Sequence, residues 1–204
     1  MAETGLRELK KARTRRHIAE TAARLFAERG YERVAVSEIA REAEVAEQTL
    51  YNYFPTKEQL VTDREQQIQD QLSELIRSRP AGTSPAAAIR ELVLETVSEI
   101  SGRPAETARG NLGYLAAISP AINRLALEMT DRLAAALAAA ISDTTSVAPE
   151  IARLQGIALA GVFQIIISES GRRTHDGQTP AEIAEALHSE IENVLTALDR
   201  WLTL

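Results

Sequence analysis

Apolar residues recur at helical spacing through most of the 204-residue chain. Ile18, Ala22, Leu25 and Phe26 form one stripe, and Arg29-Gly30 ends it with the usual glycine stop. Val36, Ile39, Ala40 and Ala43 form a second, shorter one. Leu50 and Phe54, four apart, share a face with Val45 at its start. The β-branched runs and closely spaced turn clusters of a sheet protein are missing. The pattern therefore predicts an all-α protein of about nine helices.

The first helix is expected from about Lys11 to Arg29, after a flexible segment of about ten residues. Two short helices follow, separated by Glu44–Ala46, the layout of a helix-turn-helix. Thr56 and Gln59 have capping-box spacing and predict a fourth helix running from there to about Ser78, with Leu60, Ile68, Leu72, Leu75 and Ile76 buried. Ser84-Pro85 and Ser119-Pro120 each combine a cap with proline at the first helical position, which starts a fifth helix (to about Ser101) and a seventh (to about Ser142). A sixth is expected over Ala105–Ile118 and an eighth over Pro149–Ser170. After a polar loop at 171–179, Thr179-Pro180-Ala181-Glu182 opens the ninth, to about Leu202.

Between Val45 and Phe54 the other face carries Gln48, Thr49, Tyr51, Asn52 and Tyr53, with little net charge. Such donors and acceptors suit a DNA groove, and they also suit an ordinary amphipathic helix. The order of the preceding elements favours the groove. Long helix, Gly-Tyr, short helix, turn, short helix and Phe-x-x-Lys-Glu together closely resemble the N-terminal domain of TetR-family transcriptional regulators. The residues that carry the resemblance are Ala22, Leu25, Phe26, Gly30, Tyr31, Val36, Ile39, Ala40, Ala43, Val45, Thr49, Leu50, Tyr51, Phe54, Lys57 and Glu58. The chain departs from the family pattern at Glu44, where glycine is usual, and at Ala35 and Ala46, where capping hydroxyls are usual. Losing a cap to alanine costs about 1 kcal/mol, and a side chain at the turn adds a cost that glycine avoids.

The resemblance implies a DNA-binding domain over residues 1–60 and an effector-binding and dimerisation domain over 61–204. It implies a homodimer on double-stranded operator DNA, most simply a repressor released by a small, largely apolar effector. The implied DNA-binding residues are Ser37, Gln48, Thr49, Tyr51, Asn52, Tyr53 and Lys57. Gln48 and Asn52 suit base edges, and Tyr51, Tyr53, Thr49 and Lys57 suit phosphates. Effector contacts are expected at Asn111, Tyr114, Leu115, Met129, Phe163 and Gln164, on the sixth to eighth helices. The eighth helix, apolar nearly all round, and the ninth, with its stripe Ile183, Leu187, Ile191, Val194, Leu195, Leu198 and Leu202, are expected to pair with a second subunit. Ala152, Gly156 and Ala160 would allow the close approach. The alternative is a structural, chromosome-organising DNA-binding factor of the same fold with no effector.

Net charge is −6, yet residues 1–60 carry eleven Lys/Arg against ten Asp/Glu, so the acidity lies in the remainder. Arg7, Lys10, Lys11, Arg13, Arg15 and Arg16 face only Glu8, which reads as a phosphate-tracking arm or as a solvated tail. There is no cysteine, no glycine-rich phosphate loop and no serine elbow, so no enzyme and no cofactor are expected. His188 and Glu192 could hold a metal weakly, but a solvated helix pair suits them better. No stretch of about twenty uninterrupted apolar residues is present, which points to a soluble, cytoplasmic protein without a membrane span.

Overall fold

The computed structural model describes residues 2–63 and 65–202, with side chains at residue 7 and from residue 9 onward. Among the described residues there are nine α-helices and no strand. They are α1 (Ala2–Arg29), α2 (Val36–Glu42), α3 (Glu47–Tyr53), α4 (Glu65–Ser78), α5 (Pro85–Ser98), α6 (Leu112–Ile118), α7 (Pro120–Ser142), α8 (Pro149–His175) and α9 (Pro180–Leu202). Single 3-10 turns lie at 31–33, 58–60 and 105–110.

The caps read from the sequence operate. Ser84 Oγ accepts from Ala87 N at 3.0 Å, and Ser119 Oγ from Ile122 N at 3.4 Å. Thr179 and Glu182 make both halves of their capping box, at 2.8 and 3.3 Å. Other boundaries move. α1 begins at Ala2, so the expected flexible segment is helical from there on. The Thr56–Gln59 box closes only one turn, and α4 restarts at Glu65. This segment serves two cores: Leu60 is buried against α1, while Leu72 and Ile76 are buried against the C-terminal helices. Leu75, expected inside, is exposed. α8 continues past Ser170 to His175, because Gly171 is buried in its close crossing with α6.

Two cores result. One joins Ile18, Ala22, Leu25, Phe26, Ile39, Leu50 and Phe54 of α1–α3, and Leu115 of α6 and Ile122 of α7 enter it. The other packs α4, α5, α7, α8 and α9 around residues such as Ile89, Leu137, Leu159 and Leu187. The junction is close at backbone level. A Cβ built on Gly110 would lie 1.7 Å from Ala23 O of α1, and one on Gly171 would lie 2.1 Å from Gly113 O. Only residues without side chains permit such approaches. Ser119 Oγ also reaches Glu32 Oε1 at 3.1 Å.

α8 is by length and composition apolar enough to cross a membrane. Its packing gives another reason for that composition. One face is buried on α6, α7 and α9, and Leu154, Ile157 and Ile165 lie exposed on another. Gly156 belongs to the first face: a Cβ there would lie 2.4 Å from Ala134 O of α7. The small-residue stripe Ala152–Gly156–Ala160 thus serves a crossing inside the chain, not the approach of a second subunit.

Candidate nucleic-acid interface

The turn between α2 and α3 closes as a complete Schellman motif. Val45 N donates to Ala40 O at 2.9 Å and Glu44 N to Arg41 O at 3.1 Å. The motif needs its central residue in the left-handed region, and Glu44 has φ 53°, alone among the non-glycine residues described. The cost expected at this position is therefore incurred. Neither Ala35 nor Ala46 offers a capping oxygen to its helix. At α2, Glu38 supplies half a box, its Oε2 accepting from Ala35 N at 2.9 Å, while its Oε1 lies 3.5 Å from Arg29 Nη1.

α3 buries Leu50 and places Phe54 in the same core just past its end, as their spacing predicts. This fixes which residues face out. Gln48, Tyr51 and Asn52 are exposed, and Thr49 is half-buried. Gln48 Nε2 donates to Asn52 Oδ1 at 3.3 Å, so the two amides share the face read from their four-residue spacing. Ser37 is exposed in the first turn of α2. Together these residues make an uncharged, hydrogen-bonding surface.

Tyr53 and Lys57 sit differently. Tyr53 is half-buried against the N-terminal core. The Lys57 ammonium donates to Tyr31 O at 2.6 Å and lies 4.2 Å from the Tyr31 ring centroid. Burial, partly opposed by Glu32 and Glu58, holds its pKa below the ordinary lysine value. In this conformation Lys57 braces the 31–33 turn that follows α1. Tyr31 itself is buried, with no hydrogen-bond partner for its hydroxyl; burial first, then Glu58 and Glu32, raises its pKa.

Arg15, counted among the arm residues in the sequence, proves to be a latch. Its Nη1 donates to Tyr53 O at 2.7 Å, satisfying a carbonyl at the end of α3. Its Nε lies 2.5 Å from Asp63 Oδ1, and its guanidinium sits 4.4 Å from the Phe54 ring centroid. One side chain thus ties α1, α3 and the link to α4. The spacing 15, 18, 22, 25 places it on the buried stripe, and that signal could have separated it from its basic neighbours.

Residues 18–63 match the model of the bacterial regulatory proteins of the tetR family. This stretch is thus similar to the N-terminal domain of TetR-family regulators. The chain is 36% identical over 75 residues to the uncharacterized HTH-type transcriptional regulator YuxN of Bacillus subtilis. It is 34% identical over 85 residues to the HTH-type transcriptional regulator TcmR of Streptomyces glaucescens. These alignments take in 36% and 42% of this chain, and the chain spans only 26% and 38% of those relatives. The fold extends further. Native NalD, described as the secondary repressor of the MexAB-OprM multidrug efflux pump in Pseudomonas aeruginosa, superposes with a TM-score of 0.54. That match is 19% identical and covers 90% of this chain and 97% of NalD. A TetR-family regulator from Mesorhizobium loti gives a TM-score of 0.50 at 20% identity, covering 91% and 96%.

The six residues expected at an effector site do not converge. Asn111 and Tyr114 line a cavity of about 30 Å³ with Gly113, Ser170, Thr174 and Ile183, room for roughly one water. Leu115 points the other way, fully buried in the core of α1. Gln164 accepts from Thr130 Oγ1 at 2.9 Å. Phe163 packs on the C-terminal core, and Met129 is half-buried. Glu192, paired in the sequence with His188, instead takes the Arg90 guanidinium.

Proposed function

We propose that this chain is a DNA-binding transcriptional repressor that acts as a homodimer in the cytoplasm, without enzymatic activity. The observation that carries the reading is the outward face of α3, where Gln48 and Asn52 stand side by side beside Tyr51. An amide pairs bidentately with adenine in the major groove. Tyr51, Thr49 and Ser37 flank that pair as candidates for phosphate contacts. Lys57 and Tyr53 enter as positioning residues, since both are engaged within the domain.

The dimer rests on α8 and α9. Leu154, Ile157 and Ile165 form an exposed apolar stripe at helical spacing, and Gly161 within it has open space around its missing side chain. A second copy would bury this stripe, and two-fold symmetry matches a palindromic site. Leu195, by contrast, is buried inside the chain's own core.

Release by a small, largely apolar effector is the finer part of the proposal. Asn111 and Tyr114 are its candidate anchors, and the cavity beside them would have to widen between α6 and α8. Movement there would reach α1 through the 105–110 turn, which rests on Ala23. The small size of this cavity favours a second reading, a constitutive DNA-binding factor with no effector. Selection of duplexes from a random-sequence pool by the full chain tests the main reading. The expected product is an enriched palindrome; an unenriched pool overturns it.

A further inference from the structure

α1 is longer than its domain needs. Its side chains are buried from Ile18 to Phe26, and Ala23 rests on the 105–110 turn. Eight residues earlier, about 12 Å along the axis, Arg15 is latched to the end of α3. Moving from Ala23 to Arg15 therefore leads from the 105–110 turn to the end of the candidate reading helix and the link to α4. Residues 2–14 continue in that direction for about 20 Å more.

This overhang carries Arg7, Lys10, Lys11 and Arg13, all exposed and, among the described residues, without an ion-pair partner. They are not distributed evenly. Arg7, Lys11 and Arg15 are spaced by four and so continue the stripe that further along is the core face of α1. At Arg15 that face meets the end of α3 and Asp63. Arg13 and Arg16 lie on the opposite side of the helix. A solvated helix has no use for cations aligned on its α3 side, whereas a phosphate backbone passing the end of α3 does.

We infer that the α1 overhang is a second DNA-binding element, in which Arg7 and Lys11 grip the phosphates that flank the duplex segment read by α3. This rests on the reading of α3 as the groove element. Each protomer would add about two phosphate contacts, without sequence preference of its own.

The test uses the full chain and a duplex selected from a random-sequence pool, carrying ten or more base pairs of flank on each side. Arg7→Ala/Lys11→Ala should flatten the salt dependence of binding by about two per protomer and leave the preferred sequence unchanged. Hydroxyl-radical protection of the flanks should retreat in the same variant. Arg13→Ala/Arg16→Ala, on the other face, should leave both measurements as in the parent. Equal effects of the two double variants, or none from either, overturn the inference while α3 stands as the reading helix. If the parent chain does not distinguish its selected duplex from scrambled DNA, the failure lies with α3 instead.

Discussion

Gln48 and Asn52, one turn apart on α3, hydrogen-bond to one another through their side-chain amides at 3.3 Å. In the proposed role, the bond would orient two candidate base-reading groups before DNA arrives, and binding would exchange it for bonds to base edges. Asn52→Ala is expected to cost about 1–3 kcal/mol on the selected duplex and to relax preference at one base pair per half-site. Affinity for scrambled DNA should hardly change. Parallel titrations on the two duplexes check this, and equal losses on both would remove Asn52 from the base-reading role.

Glu44 closes the turn at φ 53°, a conformation in which L side chains crowd the backbone. Glu44→Gly should stabilise the protein by roughly 1 kcal/mol, and Glu44→Val should destabilise it by at least as much. Urea unfolding midpoints of the two variants report the difference directly.

α2 and α3 begin at alanines without a capping oxygen. Ala46→Ser should therefore add about 0.5–1 kcal/mol of stability, as its hydroxyl can accept from the exposed first-turn amides of α3. Ala35→Thr should add a similar amount, because Glu38 takes only the Ala35 N–H and leaves the first-turn amides of α2 to the new hydroxyl. Thermal melts in which neither variant rises above the parent would contradict this account.

Tyr31 carries a buried hydroxyl without a partner and a phenol pKa raised well above the ordinary tyrosine value, first by burial and then by Glu58 and Glu32. A raised pKa means the folded state holds its proton more tightly. The corresponding stability is present below pH 10 and declines as pH rises above it. Tyr31→Phe should thus be neutral or stabilising by about 1 kcal/mol near pH 7, and should lose less stability than the parent between pH 10 and 11. Denaturant unfolding at both pH values would detect the crossover.

Two neighbours on α8 separate fold from assembly. Gly156→Leu would drive a side chain into Ala134 and Ala138 of the same chain and should destabilise the fold on the order of 1–3 kcal/mol or more. Ile157→Glu, at a half-exposed position, should leave the melting temperature of the monomer intact and abolish the dimer. Light scattering at micromolar concentration distinguishes them, and a dimeric Ile157→Glu variant would place the interface elsewhere.

What was legible in the amino-acid order was whatever neighbouring residues decide between themselves. The caps at Ser84, Ser119 and Thr179, the turn at Glu44 and the inward face made by Leu50 and Phe54 follow from spacings of one to four residues. The family pattern in residues 18–63 is a chain of such local requirements, so the candidate reading face could be named residue by residue. The rest depended on surfaces far apart in the chain. Arg15 looks like one more cation until Asp63 and the end of α3 are brought beside it, 48 and 38 residues away. Leu115 and Gly156 carry no mark of which neighbour they meet; the crossing of α6 on α1 and of α7 on α8 sends each to a side that helical spacing alone leaves open. The interruption between the 58–60 turn and α4 likewise has no proline or glycine to cause it. It arises because Leu60 and Leu72 belong to different cores, and only the packed molecule has two cores to satisfy.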